Sequence, residues 1–254
     1  MGFLDFFGRK SGPGSLRKQA QKVTEKYGPP ENRQKVIQQL AEMGTPEAYA
    51  VLCQRFTIRA DPGITDDEEK ENVRAILVDA GQKAVEPVKE FLEQQESGVS
   101  WGLRVLTSLT SPEDVVATAL KLLQRLGREY TRDPEKKLVL LSWLAEHHGD
   151  LTQATAAAAS PSLDEAVLPL LEDFADDVRI SAVRVLARQP LAERTREALL
   201  ALLERDKENA RVRGEVLQAL ADLGADVKGH RPAVEALLVE PFFLDREGRV
   251  KRRG

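Results

Sequence analysis

The stretch VIQQLAEMG at 36–44 returns as VLQALADLG at 216–224, with five identical and three conservative positions. A closer echo lies between them. Val178-Arg179-x-x-Ala182-Val183-x-x-Leu186 comes back 34 residues later as Val212-Arg213-x-x-Val216-Leu217-x-x-Leu220. VRAILVDAG at 73–81 opens on the same Val-Arg and closes on the same glycine, and GLRVL at 102–106 matches AVRVL at 182–186. A period of that length holds two short helices and their turns. One such pair cannot bury both of its apolar stripes, so neighbouring pairs must stack and cover one another. This constrains the chain more than anything else in it.

Local signals agree with helices throughout. TPE at 45–47, SPE at 111–113 and DPE at 133–135 are one device used three times. Thr45, Ser111 and Asp133 can cap free N–H groups, and Pro46, Pro112 and Pro134 suit a first turn that needs no donor. The glutamates favour the positive end of the helix dipole. Gly44, Gly81, Gly127 and Gly224 each follow an apolar-periodic run, where a left-handed stop belongs. Val167, Leu168, Leu171 and Phe174 share one helical face, as do Val178, Ala182, Val185 and Leu186. The expected helices are 15–27, 31–43, 46–57, 65–80, 84–96, 99–110, 112–126, 133–147, 150–158, 163–174, 177–189, 193–205, 207–223 and 231–239.

The segment LPLLEDFADDVRISAVRVLAR (168–188) resembles a HEAT repeat: an apolar first helix, an Asp at the turn, then Val-Arg-x-x-Ala-x-x-x-Leu on the second. The likeness is strong over 163–224 and is carried by periodicity alone over 31–160. The chain is similar to bacterial HEAT-repeat proteins. That resemblance implies an all-α, right-handed α-α superhelix of six or seven helical hairpins, armadillo-like, whose second helices line a concave binding face. It implies no reaction. DLTQATAAAAS (150–160) lacks the motif and is a place for the array to bend or loosen. The expected organisation is an N-terminal apolar tag and flexible linker at 1–14, a repeat domain at 15–240, and an end piece at 241–254. In that end piece PFFLDREGRVKRRG leaves the helical period, and DREG supplies a turn. It reads as a short β-hairpin, or an apolar plug closing the last repeat, with a basic tail.

Composition narrows the function classes. Aromatic residues are 5% of the chain, which suits helices packed through Ala and Leu. The apolar runs are shorter than the ~20 residues that span a bilayer. MGFLDFFGRK has no basic stretch ahead of its apolar part, and no cleavage site follows, so no signal peptide is expected. Cys53 is the single cysteine, so neither an internal disulfide nor a thiolate cluster is available. The simplest setting is the cytoplasm. Net charge is −4 but unevenly spread. Residues 1–36 carry eight basic against three acidic residues, and 241–254 carry five against two. The body between them has 24 basic and 36 acidic residues, a balance of −12. Such a body repels nucleic acid, so no nucleic-acid partner is expected; only the ends would attract polyanions.

No constellation points to catalysis, a metal or a cofactor. His147 and His148 point about 100° apart on a helix and lack a metalloprotease partner spacing. His230 stands alone in the sequence. The run 66–71 lacks the order of a calcium loop and reads as a solvated helix N-terminus. Cys53, in YAVLCQRF, reads as a core residue. GRKSGPGS (8–15) has glycines without a preceding strand and reads as a linker. Trp101 and Trp143 raise the HEAT-like DNA glycosylases, but the Asp-rich signature is missing and the body is acidic; packing is the simpler role. The HEAT-like bilin lyases share the repeat pattern, and nothing in these residues separates a lyase from a scaffold.

Two features remain as candidates for binding an unknown protein partner. Arg74, Arg104, Arg179 and Arg213 fall at or near matching places on second helices. They can grip acidic segments through forked hydrogen bonds or pair with turn aspartates, Asp176 and Asp177 in the case of Arg179. At the N-terminus Phe3, Leu4, Phe6 and Phe7 precede Arg9 and Lys10. Burying four such side chains gives roughly 6–12 kcal/mol. Ordering about ten residues costs a similar amount at ~1–2 kcal/mol each. The tag therefore needs a waiting surface: the chain's own first repeat, a partner groove, or an anionic membrane, which would make the chain a peripheral membrane adaptor.

Overall fold

The computed structural model describes residues 13–61, 63–156 and 161–253. The tag residues Phe3, Phe6 and Phe7 lie outside them. The chain divides into two compact units, Met1–Val115 and Val116–Gly254.

Unit 1 holds α1 (Pro13–Val23), α2 (Pro30–Met43), α3 (Pro46–Cys53), α4 (Gly63–Asp79), α5 (Gln82–Gln94) and α6 (Val99–Leu109). A 3₁₀ turn, Gln54–Thr57, extends α3. α7 (Pro112–Leu126) crosses the boundary in sequence. Unit 2 continues with α8 (Glu135–Glu146), α9 (His148–Ala156), α10 (Leu163–Ala166), a 3₁₀ segment Leu168–Glu172, α11 (Asp176–Ala187), α12 (Glu193–Arg205), α13 (Ala210–Asp222) and α14 (Arg231–Leu237). Two strands, β1 (Phe242–Leu244) and β2 (Val250–Arg252), close it.

The stops and starts follow the expected chemistry. Thr45 Oγ1 accepts from Ala48 N–H at 3.3 Å, and Ser111 Oγ from Asp114 N–H at 3.4 Å. Asp133 Oδ1 accepts from Glu135 N–H at 3.0 Å, which places Pro134 just ahead of α8. Gly44, Gly81, Gly127 and Gly224 all have φ between 55° and 60°. α1 stops at Val23 rather than at 27, and Gly28, before Pro29, is driven out of the helical region, so the helix does not run on into α2. α13 starts at Ala210 rather than 207, since Asn209 Oδ1 caps Val212 N–H at 3.3 Å.

Within each unit, helices pack on elements two or three further along the chain. In unit 1, α3 packs on α5, α2 on α4, and α4 on α6. In unit 2, α11 packs on α8 and on α13, while α12 lies between the 3₁₀ segment and α14. Val178, Ala182, Val185 and Leu186 are buried together, as the period requires. Close approach fixes two glycines in unit 1. A side chain at Gly102 would meet Leu92 Cδ2 at 2.7 Å, and one at Gly98 would meet Phe56 O at 2.6 Å, with φ already at 76°.

The stretch 163–174 corrects the expected single helix. Pro169 has no N–H for the carbonyl four residues back and crowds it, so α10 ends at Ala166 and a 3₁₀ segment follows. The buried set is therefore Ala166, Val167, Leu170 and Leu171. Phe174 leaves the face entirely and is 70% exposed.

A second correction concerns 66–71. It is not a solvated helix end: Asp66, Glu69 and Lys70 are buried, with Arg33 and Arg55 fully enclosed beside them. Arg33 donates from Nε and Nη2 to both oxygens of Glu69, at 2.9 and 3.1 Å, and from Nη1 to Glu25 O and Gly28 O. Arg55 donates to Glu69 Oε2 at 2.9 Å and to Asp66 Oδ1 at 2.6 Å. Lys70 Nζ reaches Asp66 Oδ2 at 2.7 Å, and Ala60 N–H reaches Asp66 Oδ1 at 2.9 Å. The network ties α2, the 3₁₀ turn, the loop at 60 and α4. Burial pushes the Asp66 carboxyl up, but the bonds from Lys70, Ala60 N–H and Arg55 outweigh it and hold it below 3.8.

At the other end, β1 and β2 pair antiparallel, with Phe243 opposite Lys251 and Leu244 opposite Val250. The buried anchor is Val250, not the Phe-Phe-Leu run, whose three residues are half-buried. β2 lies against α13, and the loop 225–227 is bonded by Val250 N–H of β2 to Ala225 O at 3.3 Å and by Val227 N–H to Gly248 O of the hairpin turn at 2.9 Å.

Glu69→Ala should lower unfolding free energy by about 3–5 kcal/mol, because it strands two enclosed guanidiniums. Glu71→Ala, on the exposed side of α4, should cost under ~1 kcal/mol; urea midpoints compare the two. Gly98→Ala should cost about 2 kcal/mol or more in the same assay, from the left-handed backbone and the collision with Phe56 O.

Candidate partner-binding surface

The four arginines sit on α4, α6, α11 and α13, Arg179 and Arg213 in the 34-residue register and Arg74 and Arg104 30 residues apart, but their surroundings differ. On unit 1, Arg74 of α4 bonds Glu71 Oε1 from Nε at 2.7 Å. Arg104 of α6 reaches the other oxygen of Glu71 at 3.3 Å and lies over the Trp101 ring at 4.4 Å. Trp101 in turn stacks on Phe56, centroids 5.6 Å apart. Two arginines thus share one glutamate, whose carboxyl is lowered chiefly by the hydrogen bond from Arg74.

On unit 2, Arg179 is largely enclosed, hydrogen-bonded through both terminal nitrogens and ion-paired through Nε. It bonds Asp173 O and Asp176 Oδ1, both at 2.6 Å, and its Nε lies 2.8 Å from Asp206 Oδ2 of the following repeat. Asp177 does not join it; that carboxylate pairs with Arg211 at 2.6 Å. Arg213 repeats the backbone half of the pattern, donating to Lys207 O at 2.6 Å, six residues back as in Arg179. Asn209 Nδ2 completes the turn by donating to Asp176 Oδ2 at 2.6 Å, and this bond leads the lowering of the Asp176 carboxyl.

The open part of the second-helix face belongs to other arginines that sequence reasoning did not select. Arg184 forks onto Glu215, Nε and Nη2 to the two oxygens at 3.0 and 2.9 Å, with 58% of its side chain exposed. Arg211, 67% exposed, holds Asp177. Arg252 Nη1 donates to Gln218 Oε1 at 3.1 Å, and Arg188 to Ala145 O at 2.9 Å. Positions 184, 218 and 252 are spaced by 34 residues, so this row was present in the sequence for a reader extending the repeat into the β-hairpin. In α13, one turn after Arg211 and one turn before Gln218, sits Gly214. A Cβ there would meet nothing within 4 Å, so no packing demand explains the glycine.

Other features of unit 2 were not legible in sequence. Tyr130 and Phe174 come from turns 44 residues apart and meet edge to face at 6.0 Å while remaining about 70% exposed. Beside them lies a cleft of about 720 Å³ between the end of α7, α10 with its 3₁₀ segment, and α12. Arg128 pairs with Glu172 on its rim. His230, alone in the sequence, lies between Glu204 and Glu197 of α12.

The remaining chemical candidates are accounted for by packing. Cys53 is fully buried, and burial pushes its thiol up, away from a reactive thiolate. Trp143 is nearly buried and stacks on His147 at 4.1 Å, and His147 Nδ1 lies 2.9 Å from Trp143 O. Among the described residues no group of three or more His, Cys, Asp or Glu side chains is placed to hold a metal ion. No described helix is long and apolar enough to cross a membrane.

These units define a class: mostly helical proteins made of stacked helix pairs, here with a small two-stranded sheet at the C-terminal end. The family model described as HEAT repeats matches residues 163–249, about a third of the chain, so this part is similar to HEAT repeats. Two solved structures are similar. A designed armadillo repeat protein in complex with the peptide (KR)4 is 15% identical, covering 82% of this chain and 99% of that one, with a TM-score of 0.40. Human deoxyhypusine hydroxylase in complex with glycerol is 20% identical, covering 88% of each chain, with a TM-score of 0.29. The comparison with curated proteins finds no match.

Arg179→Ala should destabilise by about 1.5–3 kcal/mol, the value of hydrogen bonds to a charged group that is mostly enclosed. Arg211→Ala should cost under ~1 kcal/mol. Gly214→Ala should stabilise by up to ~1 kcal/mol, since helix propensity rises and space is free. Chemical denaturation of the three variants checks the order.

Proposed function

We propose that the chain is a non-catalytic protein-interaction scaffold, and that an extended acidic segment of a partner protein lies on the second-helix face of α11 and α13. One observation carries this reading: exposed Arg211 lies one turn before Gly214, exposed Arg252 is held by Gln218 one turn after it, and exposed Arg184 is held by Glu215 beside it, while the space at Gly214 itself is open. A helix interior gives up stability to hold a glycine, and here no neighbour needs the space. The present partners of these arginines are two carboxylates and an amide. Exposed pairs of that kind contribute little, so an incoming carboxylate exchanges with them at low cost while gaining forked, charge-assisted bonds. A single enclosed thiol suits a reducing compartment such as the cytoplasm.

The experiment is fluorescence anisotropy with a labelled Asp/Glu-rich peptide, beside affinity capture by the full-length chain. Arg184→Gln, Arg211→Gln and Arg252→Gln together should weaken peptide binding at least tenfold. Gly214→Trp should block it with the helical content unchanged. Undiminished binding by both variants would sink the reading, and a preference for DNA of equal charge would replace it with a nucleic-acid role. The segment bearing Phe3, Phe6 and Phe7 is proposed as a separable docking element, on the strength of its apolar cluster followed by Arg9 and Lys10. Deleting residues 2–8 should then abolish binding to anionic vesicles at low salt; vesicle binding that survives the deletion excludes the element.

A further inference from the structure

α14 is seven residues long, and Val234 is its one fully buried side chain. A helix so lightly anchored through apolar contact must be held by something else. The residue at its N-terminal boundary is His230, whose backbone carbonyl accepts the first helical bond, from Val234 N–H at 3.0 Å. The ring of His230 reaches across to α12. Nδ1 lies 2.8 Å from Glu204 Oε1, and Nε2 lies 3.1 Å from Glu197 Oε2. These two glutamates are seven residues apart, two turns along one side of α12, so the ring bridges them.

The geometry specifies the charge. Ionised carboxylates only accept, and a neutral imidazole has a single N–H. Two carboxylates on opposite ring nitrogens are both satisfied only by the imidazolium. We propose that His230 is a proton-dependent latch: as imidazolium it clamps the start of α14 to Glu197 and Glu204 of α12, and its deprotonation releases the terminal cap of unit 2. On losing its proton the ring keeps one donor, and the other nitrogen turns a lone pair toward a carboxylate.

The groups around the latch decide how the two contacts divide. On α12, Arg196 also binds Glu197, together with Glu193, and it reaches Asp226 at 3.5 Å. Glu197 is therefore shared between Arg196 and His230. Glu204 bonds His230 directly, and its hydrogen bond is the leading cause that raises the His230 value above 6.5, followed by the opposing effect of burial and then Glu197. On the loop before α14, Asp226 accepts from Lys228 N–H at 3.0 Å, so that carboxylate is committed to the loop and to Arg196. On α14 itself Arg231 pairs with Glu235 at 2.8 Å, and the β-hairpin turn brings Glu247 and Arg249 beside Lys228 and Arg231. A histidine raised in the folded state adds stability that is complete below its unfolded value and is lost as pH rises through the folded one. Release therefore lies on the alkaline side of pH 6.5. It would uncover the face of α12 that α14 covers. The inference stands independently of the acidic-segment reading, which concerns α11 and α13.

The test is an NMR titration of the full chain, with His230→Gln identifying the resonance among the three histidines, joined to amide exchange across residues 233–238 between pH 6 and pH 9. The expected result is a His230 midpoint above 6.5. Protection in α14 should also fall roughly three- to tenfold across that range, after correction for intrinsic exchange, as two exposed ion pairs are lost. In His230→Gln and in Glu204→Gln, α14 should be equally loose at both pH values. A midpoint at or below 6.5 would overturn the latch, as would α14 protection with the same pH dependence in the native chain and both variants.

Discussion

Everything in this protein depends on mutual cover between neighbouring helix pairs. A short amphipathic helix is not stable in water alone, and an antiparallel pair still has an apolar side left over. The solution is visible in which helices touch. α3 meets α5, α4 meets α6, α8 meets α11, and α11 meets α13. Each contact joins elements of the same layer from successive pairs, so each pair is finished by the next. The same logic demands terminal covers, and the C-terminal one is explicit: Val250 of the small sheet enters the end of the apolar layer against α13, leaving charged residues outward.

Polar chemistry then sets register within that apolar scheme. In unit 1 the two carboxylates of Asp66 and Glu69 serve Arg33, Arg55 and Lys70, which come from three segments. Ions this deeply enclosed gain little net stability over apolar residues of equal size, but a slip of one residue along α4 would leave several of them unpaired. The network is best understood as a constraint on how α2, α4 and the 3₁₀ turn meet. Unit 2 uses a lighter version. Lys137 makes a buried bond to Asp173 Oδ2 at 2.6 Å and a partly buried one to Glu129 O at 2.8 Å, while Arg179 links its own turn to Asp206 of the next.

Function, on this view, is displaced to surfaces the packing does not need. The sequence motif singled out Arg179, yet a residue that recurs because each turn needs it is spent on the turn. Arg184, Arg211 and Arg252 have no such duty. Neither does Gly214, which is unexplained by any neighbour. His230 shows the same separation: its partners belong to another helix, and its ring does work that no motif marks.

What the sequence determined by itself was the class, the number and order of the helices, and most of their ends. Those follow from interactions within a few residues: a cap three residues ahead, a left-handed glycine behind, an apolar stripe every three or four positions. Fourteen helices were expected and the described residues contain fourteen, though 163–174 yielded to Pro169. What only the tertiary structure decided was the fate of charge. Asp66 and Glu69 look like a solvated helix end when read along the chain, because their neighbours in sequence are acidic; their partners stand as many as 36 residues away. The Tyr130–Phe174 pair and the Glu197–His230–Glu204 bridge are likewise meetings across turns. Local rules fix backbone conformation, whereas burial and electrostatic partnership depend on what folding brings near, and no window along the chain contains that information.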